Sequence, residues 1–245
     1  MDIKNGEIIN LLNVDSTNME AHRLLKKRKI LSPLWIVAEE QTGGRGRGGK
    51  KWVSNKGNLF ATLILPISFD IKKLPLVSCV ASLATFKCLN YFIDKNRSLK
   101  IKWPNDILFK DSKLSGILIE NLISTDSNFS IIGIGINVNS SPSIHNHDTT
   151  SLEEIIGREI EVKSVLDQLS GFLDSYFINL RNNDLNLLID EYRSKTWRIN
   201  ENVKFSIGED EYKGKLSSIN ENFQIEIVIN DVIKTFNSGE LSFKY

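Results

Sequence analysis

Apolar positions along this chain fall into two regimes. Up to about residue 197 they form long periodic or continuous runs, and beyond it they come as short pieces separated by turn residues. Leu74–Phe92 has the length and apolar spacing of a buried helix. Met19–Lys29, Leu152–Ile156, Val162–Arg181 and Leu185–Trp197 also read as helices, and Thr17 and Glu20 stand at capping-box spacing ahead of the first. Leu34–Ala38, Leu59–Ile67, Leu99–Trp103, Leu114–Ile123 and Phe129–Val138 read as strands. The last two are nearly continuous in apolar residues, which predicts cover on both faces. Ser140–Thr150 is a polar loop. After Trp197, Val203–Ile207, Tyr212–Ile219, Gln224–Ile229 and Val232–Asn237 are broken by Gly208, Asn220–Asn222 and Asn230–Asp231, the spacing of a small barrel. The expected class is α+β: a mixed or antiparallel central sheet flanked by helices over residues 1–198, then a small β domain over residues 199–245.

Composition narrows the function more than the fold. At 245 residues there is room for one sizeable core, or a main domain and a small one. A net charge of +1 provides no global field to recruit nucleic acid or anionic membrane, so any basic function is local. The first fifteen residues lack a signal-peptide hydrophobic region, and no uninterrupted apolar run approaches the ~20 residues of a bilayer span. Cys79 and Cys88 stand nine positions apart in the expected helix, ~13.5 Å along its axis and on opposite sides, too far for a disulfide. Two reduced core thiols and a cytoplasmic location are the expectation.

The local charge sits in Gly44-Arg45-Gly46-Arg47-Gly48-Gly49-Lys50-Lys51-Trp52, four cations and four glycines in nine residues with no acid among them. Glycines admit a close ligand, and arginine and lysine supply charge-assisted bonds to carboxylate or phosphate. By spelling, Gly44-x-Gly46-x-x-Gly49 fits a dinucleotide fingerprint and Gly44-x4-Gly49-Lys50 most of a P-loop. Both require a helix opening at the last glycine. Here the chain continues Lys51-Trp52-Val53-Ser54-Asn55-Lys56-Gly57, a turn and strand, and Lys51 replaces the hydroxyl that would hold Mg²⁺. Both matches are coincidental. A disordered RGG-type nucleic-acid segment is the other basic reading, but this stretch is single and flanked by strands.

Four further segments carry chemistry. Ser16-Thr17-Asn18 offers hydroxyls and an amide at a helix start, and Lys102-Trp103-Pro104-Asn105-Asp106 places an amide and a carboxylate just beyond a strand. Lys113-Leu114-Ser115-Gly116-Ile117-Leu118-Ile119-Glu120 opens an apolar strand with a lysine. Gly133-Ile134-Gly135-Ile136-Asn137-Val138-Asn139 is a strand thinned by two glycines and ending in asparagines. Singly, each has an ordinary structural reading: a helix cap, a solvated charge, a turn, close packing. Together and in this order, with Gln41 before the glycine-rich loop and Trp52 after it, they resemble the biotin–protein ligases, or holocarboxylase synthetases. The resemblance covers about residues 15–140, and the β-rich tail is similar in kind to that family's small SH3-like domain.

The resemblance implies a class II synthetase-like core and a two-step reaction. Biotin and MgATP would give biotinyl-5′-adenylate and pyrophosphate. A lysine of a biotin carboxyl carrier protein, as in acetyl-CoA carboxylase, would then take the biotinyl group. Carried over by position, Ser16, Thr17, Asn18 and Gln41 bond the polar head of biotin. Arg45, Gly46 and Arg47 belong to a loop ordering over biotin and the adenylate, and Lys113 bridges biotin carboxylate and α-phosphate. Trp52 packs near adenine, Asn105 and Asn137 contact the nucleotide or its metal, and Asp106 orients or deprotonates the incoming amine. Gly116, Gly133 and Gly135 let backbone approach the ligand. The catalytic set is therefore Lys113, Arg47 and Asp106, with ATP, Mg²⁺ arriving on the nucleotide, and no metal-binding side chain assigned.

Two departures qualify the likeness. The family loop commonly reads G-R-G-R-R-G-R, whereas Gly48 and Lys50 stand here for its third and fourth arginines. That predicts weaker retention of the adenylate. Family members that double as repressors carry a helix-turn-helix domain ahead of the Ser-Thr-Asn motif. Here that motif begins at residue 16, so the expectation is a ligase without operator or other nucleic-acid binding. A lipoate–protein ligase is the rival enzyme, disfavoured by the Gly-Arg-Gly-Arg loop with its tryptophan and by the Lys113 motif. A nucleic-acid module is the rival from another class, and a metal site at His145-x-His147 lacks further ligands nearby. A homodimer through the core sheet is common in the family, but no edge strand here announces one.

Overall fold

Strand residues alternate sides, and in Gly133-Ile134-Gly135-Ile136 that alternation sorts isoleucine to one face of a sheet and glycine to the other. The computed structural model describes residues 2–93, 98–125, 127–143 and 148–242. His145-x-His147 lies outside the described residues. In chain order the elements are β1 (Glu7–Val14), α1 (Thr17–Lys27), β2 (Leu34–Gln41), β3 (Leu59–Pro66), α2 (Leu74–Phe92), β4 (Leu99–Lys102) and β5 (Asp106–Phe109). They continue with β6 (Ser112–Ile123), β7 (Asn128–Ile136), α3 (Leu152–Ile156), α4 (Val162–Arg181) and α5 (Leu185–Lys195). Five strands close the chain: β8 (Asn202–Ile207), β9 (Asp210–Ile219), β10 (Ile225–Ile229), β11 (Val232–Phe236) and β12 (Glu240–Ser242).

The first seven strands form one mixed sheet in the order β1-β2-β3-β7-β6-β5-β4, in which only the β1–β2 pair is parallel. The last five form an antiparallel sheet, β11-β10-β9-β8-β12. The fold is thus α+β, as expected. Ile132, Ile134 and Ile136 of β7 join Leu59, Ala61 and Leu63 of β3 in the core under α2 and α4. On the opposite face Ile36, Ile64 and Ile131 pack with Ala21 of α1. The expectation that β6 and β7 are covered on both faces needs a correction at one place. Opposite the isoleucines, Gly133 and Gly135 carry a polar site rather than apolar cover.

α2 passes the length and composition test for a membrane span, yet it lies in the core with twelve residues buried. Its cysteines are free, and Cys79 and Cys88 approach the carbonyls of Leu188 and Val165 on α5 and α4. Burial on both sides of one helix therefore explains the pair. Burial pushes the Cys88 thiol up to about 12 and the Cys79 thiol higher, which keeps both protonated and unreactive.

Some sequence expectations shift. α1 starts at Thr17, with Ser16 as N-cap and no side-chain cap bond, so the Thr17–Glu20 capping box does not form. Thr17 instead turns its hydroxyl to Gln41, and Glu20 accepts from Arg23. A capping box does form at Ser151–Glu154. The Asn105–Asp106 turn ends at once, because Asp106 already pairs with Lys102 as the first residue of β5. The two sheets share a continuous core. Trp103 packs on Phe205 and Phe223 at centroid distances of 6.4 and 6.5 Å, and its Nε1 donates to Phe223 O at 3.1 Å.

Candidate active site

One cross-strand row organises the polar face. Lys102 on β4 stands opposite Asp106 on β5, Asp106 opposite Gly116 on β6, and Gly116 opposite Gly135 on β7. Directly opposed residues in antiparallel strands share a face. The two glycines make room for Trp52: a Cβ on Gly135 would lie 2.5 Å from Trp52 Cε2, and one on Gly116 would lie 2.8 Å from Cζ3. Side chains at either position would lift the indole off the sheet.

Lys113 reaches this face through a register shift. Ile107 pairs with Ser115 but Leu108 pairs with Lys113, leaving Leu114 as an extra residue in β6. Without it, strict alternation would turn Lys113 to the core side. With it, Lys113 Nζ sits 2.8 Å from Asp106 Oδ2 and 5.4 Å from the Trp52 ring centroid. The Lys113 backbone is held as well, its N–H donating to Asp148 O at 2.8 Å and its carbonyl accepting from Thr150 N at 3.1 Å. Asn137, 2% exposed, adds to this clamp by donating Nδ2 to Thr150 O at 3.0 Å.

Beside the glycines lies a buried cluster of hydroxyls and amides. Ser16, Thr17 and Asn18 are 3–4% exposed at the start of α1. The Thr17 N–H and hydroxyl donate to Gln41 Oε1 at 2.9 and 3.1 Å, and Gln41 Nε2 donates to Ser54 Oγ at 2.9 Å. Thr62 Oγ1 donates to Asn18 Oδ1 at 2.7 Å, and Asn18 Nδ2 donates to Glu120 Oε2 at 2.9 Å. A Cβ on Gly133 would fall 2.2 Å from Asn18 Oδ1, so this strand position must be bare. Glu120 also lies 3.4 Å from Arg45 Nη2 and from His22 Nε2.

The glycine-rich loop is a small hairpin. Gly46 N donates to Lys50 O at 2.7 Å and Trp52 N to Gly44 O at 2.9 Å, while the tip residues Gly48 and Gly49 take φ of 61° and 77°. Such left-handed backbone favours glycine. Only a three-residue 3-10 turn, Arg47–Gly49, interrupts it, so no helix N-terminus faces a phosphate and both spelling matches fail. Arg47 Nη1 donates to Asn105 Oδ1 at 3.3 Å, and Asn105 Nδ2 donates to Ile117 O at 2.6 Å. Burial lowers the Arg47 pKa against the pull of Asp106 and Glu240, but a guanidinium keeps its charge. Lys50 donates to Glu240 Oε1 of β12 at 2.6 Å, tying the loop to the small sheet.

The structure thus gathers Lys113, Asp106, Arg47, Trp52, Asn105, Gly116 and Gly135 in one zone. It places Ser16, Thr17, Asn18, Gln41 and Gly133 in the adjoining cluster, with Arg45 and Gly46 in the hairpin. Thr62, Ser54 and Glu120 are additions. A lone threonine inside the apolar run Leu59–Pro66 was the available signal for Thr62. Two buried polar atoms, Trp52 Nε1 and Tyr192 Oη, have no hydrogen-bond partner among the described residues.

The fold is that of the biotin protein ligases. Biotin protein ligase from Aquifex aeolicus, solved in complex with biotin and ATP, is similar with a TM-score of 0.81 and 31% identity, over 96% of this chain and 97% of that one. The chain belongs to the Biotin/lipoate A/B protein ligase family, whose model matches residues 12–137. Among curated proteins, a biotin–[acetyl-CoA-carboxylase] ligase of Paracoccus denitrificans is 37% identical over 133 residues, 54% of this chain and 55% of that protein. The bifunctional ligase/repressor BirA of Bacillus subtilis (strain 168) is 35% identical over 162 residues, 64% of this chain and 49% of that protein. The chain therefore spans about half the length of these curated relatives.

Proposed function

We propose that the protein is an ATP-dependent biotin ligase that forms biotinyl-5′-adenylate and transfers the biotinyl group to a lysine of a biotin carboxyl carrier protein. The observation that carries this reading is Lys113. Its ammonium stands 2.8 Å from Asp106 beside Gly116, close to a buried cluster of hydroxyls and amides. Such a set of donors and acceptors suits a cyclic urea, which offers N–H donors and a carbonyl acceptor. We assign that head to Ser16, Thr17, Asn18 and Gln41, with the acid tail directed at Lys113.

In the first step a biotin carboxylate oxygen attacks the α-phosphorus. The mixed anhydride bond forms as the α–β P–O bond breaks and pyrophosphate leaves. Two anions must meet, so Lys113, Arg47 and Arg45 offset the charge that builds at the α-phosphate. In the second step the acceptor amine attacks the acyl carbon, a C–N bond forms, the acyl C–O bond to AMP breaks, and the amine proton passes to a base. We assign that base to Asp106, with Lys113 as its counter-ion. The hairpin with Arg45, Gly46 and Arg47 covers the anhydride and limits its hydrolysis. Trp52 and Asn105 flank the nucleotide, Gly116 leaves it space, and Asn137 positions Lys113 through the backbone.

Mg²⁺ belongs to this reading only as the counter-ion carried by ATP. Among the described residues no three His, Cys, Asp or Glu side chains are grouped to hold a metal. The division into a ligase core to residue 198 and a small β unit from 199 is supported by the two separate sheets. A homodimer through the large sheet and a cytoplasmic site of action complete the proposal, the second supported by the two unpaired thiols. The test is to incubate the protein with ATP, a carrier domain and either biotin or lipoate, and to weigh the carrier. A biotinyl increment supports the proposal, and a lipoyl increment in its place overturns it.

A further inference from the structure

The Lys113 motif ends on a carboxylate that the reaction above leaves unused. Strand alternation puts Glu120 on the same face of β6 as Gly116 and Leu118, and three donors converge on it. Its Oε2 accepts from Asn18 Nδ2 at 2.9 Å and lies 3.4 Å from His22 Nε2, both on α1. Its Oε1 side faces the hairpin, 3.4 Å from Arg45 Nη2. Arg45 stands at the hairpin's stem, bridged to Lys51, and its Nη1 meets Met19 Sδ at 3.1 Å. One carboxylate therefore reaches both the amide of the buried cluster and the first arginine of the hairpin.

Each contact constrains something different. An ionised carboxylate only accepts hydrogen bonds, so it fixes which end of the Asn18 amide faces it. Nδ2 turns to Glu120, and Oδ1 turns to the Thr62 hydroxyl 2.7 Å away. A neutral amide at position 120 could face either end and would not enforce that choice. The Arg45 contact is of another kind. With the arginine 44% exposed, an ion pair at 3.4 Å contributes little to the free protein. A ligand lying against it excludes water, lowers the local dielectric and strengthens the pair. Lys50–Glu240 ties the hairpin to the small sheet, and Arg45–Glu120 ties it to the large one.

Resting on the ligase reading above, we infer that Glu120 is a positioning residue for biotin. It holds the Asn18 amide in one orientation toward the ring head, and it holds Arg45 beside that head once the ligand is bound. It acts through these two side chains and not by contact with a reacting atom.

The test uses the whole purified chain. Biotin-dependent ATP–pyrophosphate exchange by the unaltered protein comes first, and its absence would defeat the ligase reading itself. With exchange established, the isosteric Glu120→Gln is expected to raise half-saturation by biotin at least tenfold and to speed dissociation of biotinyl-adenylate at least fivefold. The exchange rate at saturating biotin and half-saturation by ATP should stay within threefold, and Tm within about 2 °C. Arg45→Met and the double variant complete a cycle on adenylate dissociation. Because Glu120 acts partly through Arg45, the double variant should fall at least threefold short of the product of the single effects. The inference fails if Glu120→Gln leaves either biotin half-saturation or adenylate dissociation unchanged, or if the two substitutions simply multiply. It also fails if the saturated exchange rate, ATP half-saturation and Tm worsen together with biotin affinity, which would make Glu120 a packing residue.

Discussion

A single extra residue, Leu114, turns Lys113 toward Asp106, and two absent side chains, at Gly116 and Gly135, let Trp52 lie beside it. Gly135→Ala tests this arrangement. Its Cβ would meet the indole at 2.5 Å, and overpacking of this kind typically costs about 1–3 kcal/mol. The expected outcome is at least a tenfold rise in half-saturation by ATP in exchange assays, with Tm lowered by a few degrees; unchanged ATP half-saturation would show that Trp52 has no part in the nucleotide site. Gly48 offers a second test. A Cβ there meets nothing within 4 Å, but φ of 61° makes any side chain pay about 1–2 kcal/mol in backbone strain. Gly48→Arg should therefore fold with a slightly strained loop and release biotinyl-adenylate more slowly than the native protein, through the added guanidinium. Equal dissociation rates would refute the idea that the missing arginine weakens retention. The motif residues were legible because they fall in five compact segments. Thr62 lies outside them, and although Glu120 closes one of them, the contacts of both with Asn18 were not legible because they span 44 and 102 positions.

At the scale of elements, long apolar periodicity was read well and polar edges badly. α2 and α4 have the expected bounds because each buries an uninterrupted face in the core. β1 went unread because it is a sheet edge, with Ile8 and Leu12 42% and 70% exposed, so no inside–outside alternation stands out. β5 and β12, four and three residues long, are too short for any period to register. The start of α1 was misplaced because its threonine serves the site rather than the cap. The true anchor there is Asp15, whose carboxylate the Arg23 side chain holds at about 2. Since the folded value lies below the ordinary one of about 4, the pair's contribution is complete above that pH and disappears as pH falls through 2. Asp15→Asn should melt slightly below the wild type at pH 5, by no more than about 1 kcal/mol for so exposed a pair. The gap should close toward pH 2, and a gap that widens on acidification would contradict the assignment.

For the whole molecule, the α+β class and the positions of most strands were legible, whereas the joining of the two sheets was not. Trp103, Phe205 and Phe223 make them one core, and Lys50–Glu240 carries that union to the glycine-rich hairpin. None of these contacts leaves a periodic trace, since each links segments more than a hundred residues apart. On the proposed function the molecule joins two anions, biotin carboxylate and α-phosphate, with Lys113 as the charge between them. The most direct measurement is biotin-dependent ATP–pyrophosphate exchange by Lys113→Ala beside the wild type, with biotin affinity measured separately. Loss of a preorganised charge of this kind should lower exchange by roughly 10²–10³-fold while the wild type exchanges only with biotin present. Full exchange by Lys113→Ala, or wild-type exchange that ignores biotin, would contradict the account.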